Sequence, residues 1–129
     1  MTKDSAKSIA QLAFDLGRDA CFVHNIACDV QANRNWSWAD ARPIISARLQ
    51  CYRIAPDSLH PDAEYPMTDG EHRIHVAIAD EIASVRNAFA EAVANRGSKA
   101  SIEGLRRATD RAHGVLFAVN TALSACVNR

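Results

Sequence analysis

One long stretch of the sequence constrains the fold more than any other. From Ser101 to Cys126, apolar and small residues recur at alternating spacings of three and four. They are Ile102, Leu105, Thr109, Ala112, Leu116, Val119, Leu123 and Cys126. This spacing places the side chains on one face of a helix, which has to be buried against other helices. Because the chain is only 6% aromatic and lacks strand-like runs of β-branched residues, it predicts an all-α fold.

Two further stretches show the same periodicity and predict long helices. The first has a cap at Asp4 or Ser5 and runs to about Asn33, and the other follows a cap at Asp69 over residues 70–95. A stripe of small residues lies along the first helix at Ala6, Ala10, Ala13, Gly17 and Ala20. Glycine in a helix interior is unfavourable by about 1 kcal/mol relative to alanine. Gly17 therefore indicates that another helix approaches closely there.

A shorter helix is predicted between these two. Ser37 resembles a cap, but a helix begun there would place Pro43 in the helix interior. A proline in that position destabilises a helix by about 3 kcal/mol. With Asp40 as the cap, Pro43 falls among the first residues, whose N–H groups have no partner in any case. We therefore expect a second helix that either has its cap at Asp40 or begins with a short, kinked turn at Trp38, and that ends near Tyr52 or Ile54.

Residues 95–98 are predicted to end the third helix and to begin the fourth. Gly97 suits the left-handed position after a helix, and Ser98 can cap the next one. So short a connection predicts an antiparallel hairpin. The simplest closure is an antiparallel up-down-up-down four-helix bundle; the alternative is a three-helix core with the short second helix packed across it. We expect residues 1–129 to form a single helical domain.

The charge balance argues against several classes of partner. Fifteen basic residues offset fifteen acidic ones, so the protein has no overall field that would attract nucleic acid or anionic lipid. No stretch is apolar for the length of a membrane span, and the N-terminal residues lack an apolar signal block. We expect a cytoplasmic protein with no membrane partner, and nucleic acid is an unlikely one.

The cysteines predict neither a disulfide framework nor a zinc site. Cys21 and Cys28 are two helical turns apart, about 10 Å, too far to bond to each other. No C-x-x-C motif is present, so the four cysteines are expected to be buried thiols and no cofactor is expected. At spacing three, Cys21 and His24 could form a reactive pair, although a buried thiol beside a polar-edge histidine is the simpler interpretation.

One acid–histidine pair suggests a metal-site alternative. Asp110-x-x-His113 is similar to the pairs in ferritin-like carboxylate bundles, which need a second pair and further inward carboxylates. The residues that could share such a centre are Asp15, Asp19, Glu81, Asp110 and His113. Arginines at the same levels make a surface ion-pair network the simpler explanation.

A more remote alternative is a histidine phosphotransfer-like domain. Such domains are helical bundles with an exposed histidine, followed by a basic residue at the third position and a glycine at the fourth. After His113 the corresponding residues are Leu116 and Phe117. These positions therefore lack the cation and the small residue that the chemistry needs.

Aromatic residues outside the helical faces are candidates for a binding surface. The segment from about residue 55 to 70 contains three prolines, which predict an irregular loop of a length often associated with function. Trp36, Trp38, Tyr52 and Tyr65 lie in or near the irregular segments. The two interpretations are that they plug the open end of the core or that they bind a partner. The overall prediction is a non-catalytic bundle that binds another protein or itself, as a homo-oligomer.

Overall fold

The computed structural model describes residues 2–50 and 68–127, and these ranges form four α-helices without a strand. The helices are α1 (Lys3–Gln31), α2 (Trp38–Leu49), α3 (Asp69–Ala94) and α4 (Lys99–Val127). The chain is an all-α, antiparallel up-down-up-down bundle, as the periodicity predicts. Within the described ranges, no helix is both long enough and apolar enough to cross a membrane.

The long helices begin at hydroxyl side chains. Thr2 Oγ1 accepts a hydrogen bond from the Ser5 N–H at 3.0 Å, and Thr68 Oγ1 accepts one from the Glu71 N–H at 3.2 Å. Each bond satisfies a backbone donor that has no partner within the helix. The aspartates predicted as caps lie instead in the first turns, where a negative charge is favoured by the helix dipole.

The start of α2 differs from the prediction. Ser37 is the cap, its Oγ accepting from the Asp40 N–H at 3.2 Å, and Pro43 lies inside the helix. The expectation of a cap at Asp40 was wrong because it weighed only the local penalty of the proline. Starting the helix at Trp38 places the indole against Phe89 of α3, with ring centroids 6.2 Å apart. Tertiary packing therefore offsets the missing hydrogen bond.

Helix α2 runs back along the second half of α1 and contributes to the common core. Arg48 near its end reaches Asp19 in the middle of α1, with Nη1 and Oδ1 3.2 Å apart. Ala41, Ile45 and Leu49 are buried with the apolar faces of the other helices. The second helix is thus a member of the bundle, and its predicted end at Tyr52 or Ile54 lies outside the described residues.

The closest-packed pair of helices is α1 with α4. A Cβ placed on Gly17 would lie 3.3 Å from Leu116 Cβ and 3.3 Å from Phe117 Cδ2. Two turns towards the start of α1, Asn120 Nδ2 donates to the Ala10 carbonyl oxygen at 2.9 Å. The small residues of α1 therefore admit a neighbouring helix, as predicted, and that neighbour is α4.

The hairpin between α3 and α4 closes at Gly97, as predicted. Gly97 has φ +70°, and its N–H donates to the Ala92 carbonyl oxygen at 2.8 Å. Ser98 Oγ accepts from the Ser101 N–H at 3.3 Å, so it caps α4. A Cβ on Gly97 would overlap the Trp38 indole, which lies directly on the turn. The glycine is required both by its backbone angle and by this contact.

Candidate functional site

The two tryptophans predicted to bind a partner lie at one end of the bundle. Trp36 and Trp38 are partly buried and pack against the core, so they cover its end. They also line a cleft of about 470 Å³ together with Gln31, Lys99 and other residues of the two adjoining turns. Tyr52 and Tyr65, the other two candidates, lie outside the described residues.

Two of the five metal-ligand candidates are buried carboxylates held by different arginines. Asp19 on α1 is paired with Arg48 of α2, Nη1 to Oδ1 at 3.2 Å. Glu81 on α3 is paired with Arg111 of α4, Nε to Oε1 at 3.1 Å. Glu81 Oε2 is buried without a hydrogen-bond partner in the described part of the chain. These two carboxylates therefore serve separate helix pairs.

The other three candidates do not join them. Asp15 accepts a hydrogen bond from Gln11, Asp110 is exposed, and the His113 ring lies 4.7 Å from that of Phe117. Across residues 2–50 and 68–127, no three His, Cys, Asp or Glu side chains are grouped so that they could hold a metal ion. The structure therefore does not bring the five candidates together.

A buried histidine lies near the start of α3. His75 is buried and lines a cleft of about 390 Å³ between the first turns of α1 and α3, together with Asp4 and Glu71. Burial lowers the pKa of His75 below its ordinary value; the charge of Glu71 opposes this effect and that of His72 adds to it. The neutral imidazole is the form that the folded protein favours.

The groove between α1 and α4 carries a polar cluster that we call the polar seam. It consists of His24, Cys28 and Gln31 on α1 and of Glu103, Arg106 and Thr109 on α4. His24 is at its centre: Nδ1 lies 3.1 Å from the Arg106 carbonyl oxygen and 3.2 Å from Thr109 Oγ1. Its other nitrogen, Nε2, lies 3.4 Å from Cys28 Sγ.

The contacts of His24 assign its tautomer. A carbonyl oxygen only accepts, so Nδ1 carries the hydrogen and donates it to the Arg106 carbonyl. The Thr109 hydroxyl donates to the Leu105 carbonyl oxygen at 2.8 Å, which leaves its own oxygen free to accept from His24 as well. In the neutral ring Nε2 is therefore a lone-pair acceptor directed at the Cys28 thiol.

Charged groups surround this pair on the α4 side. Arg106 Nη2 donates to Glu103 Oε1 at 2.6 Å, Gln31 Nε2 donates to Glu103 Oε2, and Arg107 Nε donates to Oε1 at 3.0 Å. The hydrogen bond from Arg106, followed by that from Gln31, holds the pKa of Glu103 well below its usual range. Glu103 in turn raises the pKa of Arg106 through its hydrogen bond and its negative charge.

The histidine of the polar seam lies beside a different cysteine from the one that the sequence suggested. The spacing of three allowed His24 to pair with Cys21, whereas in the structure His24 lies beside Cys28 at spacing four. Cys21 Sγ instead accepts from Asn25 Nδ2 at 3.9 Å. Spacing four was visible in the sequence; the signal that was missing is the direction of the ring, which α4 sets through its carbonyl and hydroxyl groups.

The same face of the molecule carries an aromatic patch formed by Phe14, His113 and Phe117. The rings of Phe14 and Phe117 lie 6.1 Å apart across the two helices, and His113 contacts Phe117. The phenylalanine side chains remain 38% and 39% exposed. Gly17, one turn from Phe14, lets Phe117 lie close against α1. The helical periodicity did not identify this patch, because Phe117 is not among the residues of the periodic stripe of α4.

Fold and site together define a four-helix bundle with a polar seam and an aromatic patch on its α1–α4 face. Comparison of the chain with protein-family models, with curated protein sequences and with solved structures gives no significant match.

Proposed function

We propose that this protein is a non-catalytic cytoplasmic bundle that works by self-association, through the aromatic patch on α1 and α4. The observation that carries the proposal is the exposure of Phe14 and Phe117 side by side. Three of the four phenylalanines in the chain, Phe14, Phe22 and Phe117, are exposed, although nearly half of its residues are hydrophobic. Exposed aromatic residues that lie together are typical of protein interfaces.

The third exposed phenylalanine makes the contrast clear. Phe22 lies on the α2 side of α1, and the Arg48 guanidinium lies 4.1 Å above its ring. This cation–π contact gives Phe22 a partner within the chain. Phe14 and Phe117 contact each other, and Phe117 also contacts His113, but both phenylalanine side chains remain exposed to solvent. Contact with a second protein surface would bury the two phenylalanine rings away from water.

Charge supports a second copy of this chain as the partner. The protein is neutral overall, so two copies meet without net repulsion. Residues of both signs border the patch: Arg18 lies one helical turn from Phe14, and Asp110 one turn from His113. In a two-fold dimer, both copies contribute the same surface to the interface. Because residues of both signs lie at the edge of that surface, opposite charges of the two copies can face each other.

The test is sedimentation equilibrium over a concentration series, with single charge substitutions. We expect the unaltered protein to dimerise and Phe14→Glu or Phe117→Glu to weaken dimerisation about a hundredfold, or ~2.7 kcal/mol. Phe22→Glu is the matched control, because Phe22 is equally exposed but lies outside the patch, and it should leave the dimer intact. Circular dichroism would show that each variant folds.

Two results would contradict the proposal. If the unaltered protein sediments as a monomer at every concentration, the patch does not bind a second copy of this chain. If Phe22→Glu weakens the dimer as much as Phe14→Glu does, the interface lies on another face of α1.

A further inference from the structure

The geometry of the polar seam points to a second property that is independent of self-association. We propose that Cys28 is a reactive thiol, activated by His24 as a base, and that it is a site of thiolation by low-molecular-weight disulfides. The pair is not a chance contact of two neighbours on one helix, because α4 orients the histidine from the other side of the groove.

The orientation of the His24 ring is the first observation that supports the proposal. The Arg106 carbonyl oxygen and Thr109 Oγ1 hold the Nδ1–H of His24, so Nε2 is directed at Cys28 Sγ at 3.4 Å. A nucleophile, a base within reach and a third group that orients the base form the arrangement that activates cysteine in enzymes. Here a backbone carbonyl takes the orienting position, and Thr109 is fully buried, which fixes the geometry.

Stabilisation of the ionised form is the second element. When the proton moves from Sγ to Nε2, the imidazolium keeps its Nδ1–H bond to the Arg106 carbonyl and gains an Nε2–H that donates to the thiolate. Arg106 adds a positive charge on the same side, although Glu103 partly neutralises it, and Asp110 lies further along α4. The thiolate is the reactive form of cysteine.

The reaction balances without a further reagent. The Cys28 thiolate attacks one sulfur of the disulfide R–S–S–R, the S–S bond breaks, and a Cys28–S–S–R mixed disulfide forms. The second half leaves as R–S⁻ and takes the proton from Nε2–H of His24, which returns the ring to its neutral tautomer. The small disulfide is the oxidant, and one of its sulfur atoms is reduced.

The neighbouring histidine, and not solvent access, distinguishes Cys28 from the other described cysteines. Cys126 is exposed, whereas Cys21 and Cys28 are both only partly exposed. If exposure alone governed reactivity, Cys126 would react first. If His24 governs it, Cys28 reacts first at neutral pH. Cys21 is a matched control, since it shares the exposure class and the helix but has Asn25 rather than a histidine beside its sulfur.

The experiment measures mixed-disulfide formation with oxidised glutathione at pH 7, resolved at each of the four cysteines by peptide mass spectrometry. A thiol without a base is only a few per cent ionised at this pH, so a base can raise its rate by up to roughly thirtyfold. We expect Cys28 to react at least about tenfold faster than Cys21 and Cys126. At pH 10, where thiols ionise without help, the difference should largely disappear.

The decisive variant is His24→Asn. The asparagine side-chain amide can still donate to the Arg106 carbonyl, but it offers no base to Cys28. We expect the rate at Cys28 to fall about tenfold at pH 7 and to change little at pH 10, with Cys126 unaffected. Thermal unfolding of the variant would show whether the bundle is intact.

The proposal is overturned if Cys126 reacts faster than Cys28 at pH 7, or if His24→Asn leaves the Cys28 rate unchanged. A variant that loosens the fold would raise the rates at Cys21 and Cys28 together and at both pH values, a pattern that separates structural damage from loss of the base. Oxidised glutathione reports on the thiol whether the protein is monomeric or dimeric, so failure of the proposed self-association leaves this test unaffected.

Discussion

Gly97 is required for two features of this fold. Its backbone angle closes the hairpin, and its lack of a side chain leaves room for Trp38. Its role in the turn follows from the sequence, because an isolated glycine between two periodic stretches predicts a left-handed position. The contact with the indole does not, because it depends on where α2 begins.

The first residue-scale prediction is that Gly97→Ala lowers the free energy of unfolding by about 2–3 kcal/mol. A left-handed alanine accounts for about 1–2 kcal/mol, and displacement of the Trp38 ring adds to it. Gly104→Ala is the control: nothing lies within 4 Å of a Cβ there, so it should stabilise the helix by about 0.5–1 kcal/mol. Urea unfolding measures both, and equal effects of the two substitutions would contradict the prediction.

The second residue-scale prediction concerns pH. Because burial lowers the pKa of His75, the unfolded chain takes up its proton at a higher pH than the folded chain does. This contribution to stability is complete above the unfolded value of about 6.5 and is lost as the pH falls from there towards the folded value. Glu71 on α3 partly opposes the shift, His72 increases it, and Asp4 of α1 lines the same cleft.

His75→Gln should therefore flatten the dependence of unfolding free energy on pH between about 7.5 and 5, where one group contributes at most about 1.4 kcal/mol per pH unit. His72→Gln is the control, because His72 is exposed on the same turn, and it should leave most of the slope in place. Unfolding curves in urea at a series of pH values give both slopes. An unchanged slope in the His75 variant would show that this histidine is not the source.

At the scale of elements, the pairing of α3 with α4 includes a buried charge that the sequence indicated only as one member of a surface network. Glu81 is 8% exposed, and its Oε2 has no hydrogen-bond partner among the described residues. Arg111, its ion-pair partner, is largely exposed. Desolvation of a carboxylate is unfavourable, so such a pair adds little to stability while its loss on one side is harmful.

We therefore predict opposite effects for the two partners. Arg111→Met leaves Glu81 buried and unpaired and should lower the unfolding free energy by about 1–2 kcal/mol. Glu81→Met removes the buried charge and should leave stability unchanged or raise it. Arg107→Met is the control, since Arg107 is equally exposed but pairs with Glu103, which retains Arg106; its effect should stay within about 0.5 kcal/mol. If Arg111→Met and Glu81→Met lower the unfolding free energy by similar amounts, the ion pair makes a net contribution to stability and the prediction is wrong.

Helix α2 illustrates why element boundaries were harder to predict than elements. Its existence and its inward face follow from the spacing of Ala41, Ile45 and Leu49. Its first residue does not, since a local rule on Pro43 favoured Asp40 and contact between Trp38 and Phe89 decided otherwise. A helix start is the sum of a small local preference and a larger packing term that only the assembled bundle supplies.

For the whole molecule, the sequence by itself determined the all-α class, the three long helices, the hairpin at Gly97 and the close approach of a neighbour at Gly17. These follow from local periodicity, capping residues and glycine geometry, each of which acts within a few turns of chain.

Only the tertiary structure decided which faces meet and at what level. It paired α1 with α4 so that His24 lies beside Thr109, directed His24 towards Cys28 rather than Cys21, and left Phe14 and Phe117 together at the surface. It also distributed the five carboxylate and histidine candidates among separate contacts. The physical reason is that a helical pattern specifies a face but not its neighbour: the neighbour is set by packing between residues more than eighty positions apart, which no local signal encodes.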